Sequence, residues 1–346
     1  MNYALIGCGR ISVNHIKAAR ENQWNIVAIC DIFEEGMKTF RCQQELKSDV
    51  KSYRDYREML AEEKIDVVSI TVKSGLHAQI ALDCMKAGVH VIIEKPLALS
   101  LEEADAVIAC SNETGMKAAV CHQNRFYPSV QFAKRAMEKG KFGKLSHGAM
   151  HVRWNRGEVY YREATWRGTW QEDGGTMMNQ CIHSIDIFRW LMGGEIEEVF
   201  GYTARQLHPY IETEDVALAV IKFQNGAIGT IEASVNVYPK NLEETLYLFG
   251  EKGTVKLGGK SLNTVEHALF EKAEGQTEPA QGLIGHSAVF ADMKEAIEQS
   301  RAPYIDAREG RAAIELILAI HQSAKEKRPV RLPLKSGKCI DYRGMF

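Results

Sequence analysis

The sequence predicts a two-domain α/β protein: an N-terminal domain of alternating strands and helices on a parallel sheet, then a C-terminal α+β domain on a large, mostly antiparallel open sheet. Three observations predict it. Short apolar runs alternate with helical patterns up to residue 122. Gly7-Cys8-Gly9-Arg10-Ile11-Ser12 joins a strand to a helix, and the next strand ends on Asp31, the order of a Rossmann dinucleotide-binding fold. After Gly143-Lys144 strands succeed one another, with Asn225-Gly226 as a hairpin turn. The expected domains are 1–122 and 123–346, with a return of the last residues to the first domain left open.

Tyr3-Ala4-Leu5-Ile6 is the first strand. Gly7 permits the tight turn, and Gly9 lets the backbone approach a pyrophosphate. The N-terminus of the following helix, with Ile11, His15, Ile16 and Ala19 in its pattern, stabilises that charge. Ser12 holds the third fingerprint position and is small enough for close packing. The second strand, Ile26–Cys30, leads to Asp31. Its carboxylate can accept hydrogen bonds from both ribose hydroxyls of an adenosine and would repel a 2′-phosphate. Ile32 offers no cation to rescue one, so NAD is expected rather than NADP.

Further βα units follow: a strand over Ile65–Thr71, a helix opened by Gly75-Leu76-His77, the apolar run Val89–Ile93, and a helix from Ser100 with Glu103 three residues on. The strand Lys117–Cys121 then leads into Gln123-Asn124-Arg125-Phe126. The run Val89–Ile93 closes on Glu94-Lys95-Pro96. Parallel sheets bind ligands beyond the carboxyl ends of their strands, so Lys95 is expected to point into a crevice that the nucleotide occupies. Glu94 is expected to hold a ribose or to order the turn.

Composition bounds the function. The 346 residues are 45% hydrophobic and 25% charged, with a net charge of −2, ordinary for a soluble enzyme. There is no basic surplus for nucleic acid or an anionic membrane. The N-terminus enters a strand at once, without the features of a signal peptide. No apolar run approaches the roughly 20 residues of a membrane span. The eight cysteines are scattered without a CxxC pair, so reduced cytoplasmic thiols are expected. No His/Cys/carboxylate cluster has metal-ligand spacing, so no metal is expected.

In the second domain a helix over 128–139 precedes strands at Ser146–Trp154, Glu197–Gln206, Asp215–Phe223, Ala227–Asn236 and Glu243–Gly250. Val216, Leu218, Val220 and Ile221 are the apolar members of one strand. A last long helix spans about Glu309–Lys325. One helix, Met177–Met192, interrupts the strands after Asp173-Gly174-Gly175-Thr176. Asn179, His183 and Asp186 lie at i, i+4 and i+7, a polar stripe through an otherwise apolar helix. A helical histidine alone is more often structural. A polar stripe in a buried helix needs partners, however, and a substrate crevice supplies them. Asp186 is expected to orient His183 or to cap a neighbour.

These elements together resemble the glucose-fructose oxidoreductase, inositol dehydrogenase and rhizopine catabolism (Gfo/Idh/MocA) family. Gly285-His286, Phe290, Asp292-Met293 and Ala296-Ile297, then Gly310-Arg311, extend the resemblance over essentially the whole chain. The resemblance implies NAD(P)-dependent hydride transfer on a sugar or cyclitol hydroxyl. It also implies homo-oligomers, dimers or tetramers, formed through the C-terminal sheet. Lys95 and His183 become the catalytic pair. The implied cofactor contacts are Gly7, Gly9, Arg10, Ile11, Asp31, Ile32, Val72, His77, Glu94, Lys95, Gln123, Trp166 and Arg167. The chain departs from the family pattern twice. Asn179 stands where the family has aspartate four residues before the histidine. An amide cannot take a proton, so proton transfer narrows to His183, with Lys95 assisting. Lys73 replaces a proline in the loop Val72–His77, where a ligand contact and a solvated lysine are both open readings.

A narrower pattern resembles the UDP-N-acetylglucosaminuronate 3-dehydrogenases of surface polysaccharide precursor synthesis. It comprises Arg153-Trp154-Asn155-Arg156, Tyr160-Tyr161, Trp166-Arg167-Gly168-Thr169-Trp170 and Asn179-Gln180. It implies substrate contacts from Lys95, Arg153, Arg156, Tyr160, Asn179, Gln180 and His183. Arg153, Arg156 and Arg167 suit an anionic substrate, since a guanidinium pairs a carboxylate or phosphate bidentately. Ordinary salt bridges are the other reading. Trp166 and Trp170 pack either on the nicotinamide or sugar, or in the core. The expected reaction is reversible hydride transfer from C3 of the sugar to the nicotinamide, with His183 as base and Lys95 stabilising the oxygen. Three rivals remain: an inositol or other neutral-sugar dehydrogenase, a non-catalytic NAD-binding regulator, and an enzyme that recycles its cofactor in place. A regulator would be expected to lose the lysine or histidine that this chain keeps.

Overall fold

The structure, a computed structural model, describes residues 1–271 and 283–346. It divides into two compact units: Met1–Ala98, Glu102–Gln123 and Leu283–Arg311 in the first, and Leu99–Leu101, Asn124–Gly282 and Ala312–Phe346 in the second. The segment that returns to the first unit is therefore Leu283–Arg311, and the last residues of the chain stay with the second.

The first unit alternates β1 (Asn2–Ile6), α1 (Ser12–Glu21), β2 (Asn25–Cys30), α2 (Glu34–Gln43), β3 (Lys51–Tyr53), α3 (Tyr56–Glu62), β4 (Val67–Ile70), α4 (His77–Lys86), β5 (His90–Ile93), α5 (Leu101–Thr114) and β6 (Ala118–Val120). The strands form a parallel six-stranded sheet in the order β3-β2-β1-β4-β5-β6. Every residue of β4 is buried, as are Val91–Ile93 of β5, which is why these strands read as unbroken apolar runs. The returning helix α9 (His286–Glu298) lies against α1, where Asn22 Nδ2 donates to the Ser287 carbonyl at 2.9 Å. Phe290 of α9 joins Tyr3 and Trp24, with ring centroids 5.4 and 4.8 Å away.

The second unit holds α6 (Pro128–Glu138), β7 (Leu145–Arg153), α7 (Glu158–Arg162), a π-helical turn (Met177–Cys181) running into α8 (Ile182–Leu191), β8 (Ile196–Ala204), β9 (Val216–Phe223), β10 (Ile228–Ser234), β11 (Glu243–Gly250), β12 (Gly253–Gly258) and β13 (Thr264–Phe270). Most of α10 (Ala307–Glu326) and β14 (Val330–Arg331) complete it. Its eight strands run β13-β12-β11-β7-β10-β9-β8-β14, antiparallel except for the parallel pair β7/β10. One face is covered by helices. A Cβ at Gly229 would sit 2.7 Å from Phe188 of α8, and one at Gly201 would sit 3.0 Å from Ile320 of α10, so both glycines admit close helix–sheet packing. In β9 the core face carries Ala217, Ala219, Ile221 and Phe223, while Leu218 and Val220 are more than half exposed on the other face. Val216, Leu218, Val220 and Ile221 all lie in β9 as expected, and the strand's period of two turns the first three to the face opposite Ile221.

Candidate active site

In the first unit the ladder registers align the strand ends: Ile6 pairs with Cys30 and Ile70, Ile70 with Ile93, and Ile93 with Val120. Gly7, Asp31, Thr71, Glu94 and Cys121 therefore form one row along the carboxyl edge. The strand order reverses between β1 and β4, the switch point where open α/β sheets bind ligands. Gly7 has φ +95°, and a Cβ there would lie 2.8 Å from the Thr71 carbonyl, so the turn requires glycine. Nothing lies within 4 Å of where a Cβ of Gly9 would be, leaving its backbone open to a ligand. Arg10 is exposed and Ile11 half-buried at the start of α1. Asp31 accepts the Cys8 N–H at 2.7 Å and the Phe33 N–H at 2.9 Å, which fixes its carboxylate beside the glycine turn. Ile32 is 68% exposed beyond it. An open turn and an anchored carboxylate at the switch point fit a dinucleotide.

Two expected cofactor contacts shape the edge from beneath. His77 is buried, with Nδ1 2.7 Å from the Pro96 carbonyl and Nε2 3.0 Å from the Val72 carbonyl. It lies between the Val72 loop and the lysine turn, and one helical turn, Ser74–Leu76, follows Lys73. Burial lowers its pKa, so the ring is neutral and donates to only one of those oxygens. Glu94 is also buried. Its Oε2 accepts the Lys95 N–H at 3.1 Å, and its Oε1 faces His15 Nε2 at 2.9 Å and His286 Nε2 at 2.8 Å. Of its two expected roles, ordering the turn is the one this geometry serves. Burial alone would raise the Glu94 pKa. The hydrogen bonds from His15 and then His286 outweigh it and hold the carboxyl well below the usual range. Among residues 91–101 only Lys95 is not buried, and Gln123 is half-buried beyond β6.

In the second unit Asp173-Gly174-Gly175 sets the entry to α8. Asp173 accepts the Gly168 N–H at 2.7 Å and a short hydrogen bond from Asn179 Nδ2. Gly175, at φ +101°, lets the Glu214 carboxyl approach and accept the Met177 N–H at 2.9 Å. From 173 to 189 every residue is buried except Asn179, Gln180 and His183. Asp186 is not part of this group. It is fully buried in a bidentate pair with Arg125, at 2.7 and 2.6 Å, so it neutralises that arginine.

Gln180 links the helix to the loop after β7. Its Nε2 donates to Tyr160 Oη at 2.6 Å, and its Oε1 accepts Arg156 Nε at 2.9 Å. The guanidinium groups of Arg156 and Arg167 lie over the Tyr160 ring at 5.4 and 4.2 Å. Arg167 also donates to the Tyr160 carbonyl and to Glu163, with half-buried Trp166 beside it. His208 donates to the Arg156 carbonyl across 2.7 Å, and its other nitrogen lies 2.9 Å from Asp215.

Two expected residues stand elsewhere. Arg153 is bound by Glu232 at 2.7 Å and by Glu243 at 2.5 Å, and its register opposite Glu243 puts it on the sheet face away from α8. It is a salt-bridged strand arginine. Trp170 is fully buried against His321 and Tyr342, a core residue. Sequence reasoning passed over His15 and left His286 as a bare pattern match. The available signal was His15 among Ile11, Ile16 and Ala19, because a histidine on a buried stripe demands a partner. The eight cysteines are unpaired, and among the described residues no helix is long and apolar enough to cross a membrane.

One unit has a switch-point dinucleotide edge with a lysine turn, and the other presents a histidine and amides; together these features define a dinucleotide-dependent oxidoreductase. Comparison with known proteins sharpens this. Residues 1–122 match the oxidoreductase family with NAD-binding Rossmann fold, and residues 130–256 match the GFO/IDH/MocA C-terminal domain. The solved WlbA dehydrogenase of Bordetella pertussis, in complex with NADH and UDP-GlcNAcA, is 34% identical. It covers 96% of this chain and 99% of its own, with a TM-score of 0.88. The myo-inositol 2-dehydrogenase of Thermotoga maritima is 26% identical over 96% of this chain and 98% of its own. The scyllo-inositol 2-dehydrogenase (NAD(+)) of Bacillus subtilis is 27% identical over 99% and 98%. The chain belongs to the Gfo/Idh/MocA family, and it is an NAD-dependent oxidoreductase.

Proposed function

We propose that this protein is a sugar dehydrogenase that oxidises the C3 hydroxyl of UDP-N-acetylglucosaminuronate or a close nucleotide sugar, in surface polysaccharide precursor synthesis. The observation that carries the reading is the group Asn179, Gln180 and His183, the breaks in the buried run 173–189, with Arg156 and Tyr160 bound to Gln180. Arg156 gives this group a positive charge suited to an anionic sugar. The likeness to a dehydrogenase solved with UDP-GlcNAcA supports the same reading.

When bound, NAD supplies the hydride acceptor. Gly7, Gly9 and Asp31 hold it through the turn and the ribose. His183 takes the hydroxyl proton, and Lys95 stabilises the charge developing on that oxygen. Asn179, kept in place by Asp173, orients a substrate hydroxyl, and Gln180 with Arg156 binds the anionic part. The protein acts as a homo-oligomer assembled through the open face of its eight-stranded sheet.

The test is absorbance at about 340 nm, where reduced nicotinamide absorbs. A rise when purified protein and NAD meet UDP-N-acetylglucosaminuronate is expected. Turnover of myo- or scyllo-inositol with none of the nucleotide sugar would instead assign the cyclitol activity for which the two inositol relatives are named.

A further inference from the structure

Three segments far apart in the chain meet at one oxygen behind the lysine turn. Glu94 Oε1 accepts from His15 Nε2 of α1 at 2.9 Å and from His286 Nε2 of α9 at 2.8 Å. The other oxygen of the same carboxylate accepts the backbone N–H of Lys95. His15, Glu94 and His286 are 0%, 5% and 8% exposed, so water does not supply these bonds. The two imidazoles pack with centroids 4.8 Å apart, and Phe290 meets His15 edge-on.

The chemistry fixes the protons. An ionised carboxylate only accepts, so both rings present Nε2–H to Glu94. Burial keeps His15 neutral, so its Nδ1 accepts from the Ser69 hydroxyl 3.0 Å away. Cys121 from the end of β6 completes the group, its thiol pushed well up by burial and by the Glu94 charge. From α4, His77 feels this carboxylate too, and Lys95 acts on both Cys121 and His77. Tyr3 of β1 is a further titratable side chain on that side, near Ser69 and Cys121.

We propose that His15, Glu94 and His286 are positioning residues for Lys95: two histidines clamp a buried carboxylate that in turn holds the lysine's backbone N–H and so aims its ammonium. The proposal rests on reading Lys95 as the group that stabilises the reacting oxygen. It gives the returning segment a purpose, since α9 supplies one clamp. The other comes from the helix that follows the glycine-rich turn, so one carboxylate sets both the cofactor turn and the lysine turn.

The test compares His286→Ala, His286→Gln, Glu94→Gln and Lys95→Ala in the full-length protein with NAD and its sugar substrate. His286→Ala is expected to lower kcat by about 10- to 100-fold, the scale of a misaimed catalytic group, with NADH affinity within about twofold. His286→Gln, which keeps an N–H donor, is expected to recover most of that loss. Glu94→Gln keeps an acceptor but removes a charge that favours the ammonium, so the alkaline limb of kcat is expected to move to lower pH. If Lys95→Ala turns over normally, the lysine reading itself fails, whatever the histidine variants do. If Lys95→Ala is inactive while His286→Ala and Glu94→Gln keep kcat and the alkaline limb and lose only melting temperature, the positioning proposal is overturned and the lysine reading stands. If His286→Ala does not fold, His286→Gln and Glu94→Gln decide alone. One equivalent of bound metal in the purified protein would also overturn it, because His15, Glu94, Cys121 and His286 bring ligand atoms within 4.8 Å of one another and a metal would take the Nε2 lone pairs.

Discussion

Lys95 and His183 share a local signature: each is a half-buried polar side chain in a segment that is otherwise buried. A fold that hides its neighbours and leaves one such group accessible directs it at a ligand. Lys95→Ala and His183→Ala are each expected to lower kcat by at least about 100-fold, the usual scale for losing an acid–base or charge-stabilising group. NADH affinity, read by fluorescence titration, should stay within about threefold. Wild-type turnover in both variants would sink the assignment. The two arginines of the Arg153–Arg156 stretch make a sharper contrast. Arg153 is held by two carboxylates on the far sheet face, whereas Arg156 is tied to Gln180 beside His183. Arg156→Ala should raise KM for the nucleotide sugar roughly 10- to 100-fold, the worth of a charge-assisted hydrogen bond, and Arg153→Ala should change it by less than about threefold. Equal effects would remove the contrast between the two arginines and refute the assignment of the anionic group to Arg156 alone.

At the level of elements, the turn into α8 depends on a protonated acid. Glu214 is fully buried, its Oε2 has no hydrogen-bond partner among the described residues, and His321 Nε2 lies 3.8 Å from the other oxygen. Burial pushes its carboxyl up to about 8. In the unfolded chain it ionises near 4.5, so between about 4.5 and 8 the unfolded state releases a proton that the folded state keeps, and stability falls as pH rises. Burial also drives His321 down to about 3, which removes stability as pH falls below 6.5. Glu214→Gln should therefore raise the melting temperature relative to wild type at pH 8 by on the order of 5 °C and by clearly less at pH 5. An equal shift at both pH values would refute the protonated-acid reading. This network also marks where sequence reading stops. Gly7, Asp31 and the lysine turn were legible because local spacing encodes them, whereas of the α8 stripe Asn179 and His183 are half-buried and Asp186 is buried on Arg125. Glu214 against Gly175, Arg125 on Asp186 and His15 with His286 on Glu94 are contacts between distant segments, and spacing does not name the partners. The strand β9 was legible as a strand but not in its facing, because Leu218 and Val220 are apolar on the open side. Strands β12 and β13 were missed, because their pairing follows from β11 and not from a strong pattern of their own.

At the level of the molecule, that open face is the feature left to explain. The helices α8 and α10 cover one side of the eight-stranded sheet. On the other, Tyr202, Leu218, Val220 and Ile228 are 63%, 53%, 54% and 59% exposed. They are neighbours across the strands: Tyr202 pairs with Leu218, Val220 with Phe200 and Thr230, and Ile228 with Lys222. A contiguous apolar patch on a sheet face is the mark of an interface, since stray single apolar residues do not cluster in register. Two-fold pairing of such a face brings identical apolar residues together. Leu218→Lys with Val220→Glu should then convert the oligomer to monomers in light scattering coupled to size exclusion, because charges on a desolvated interface are costly. Both positions lie on the far side of the sheet from His183, so the monomers should retain NADH binding. An unchanged oligomer would place the interface elsewhere, and a wild-type protein that is already monomeric would show that the open face has another occupant.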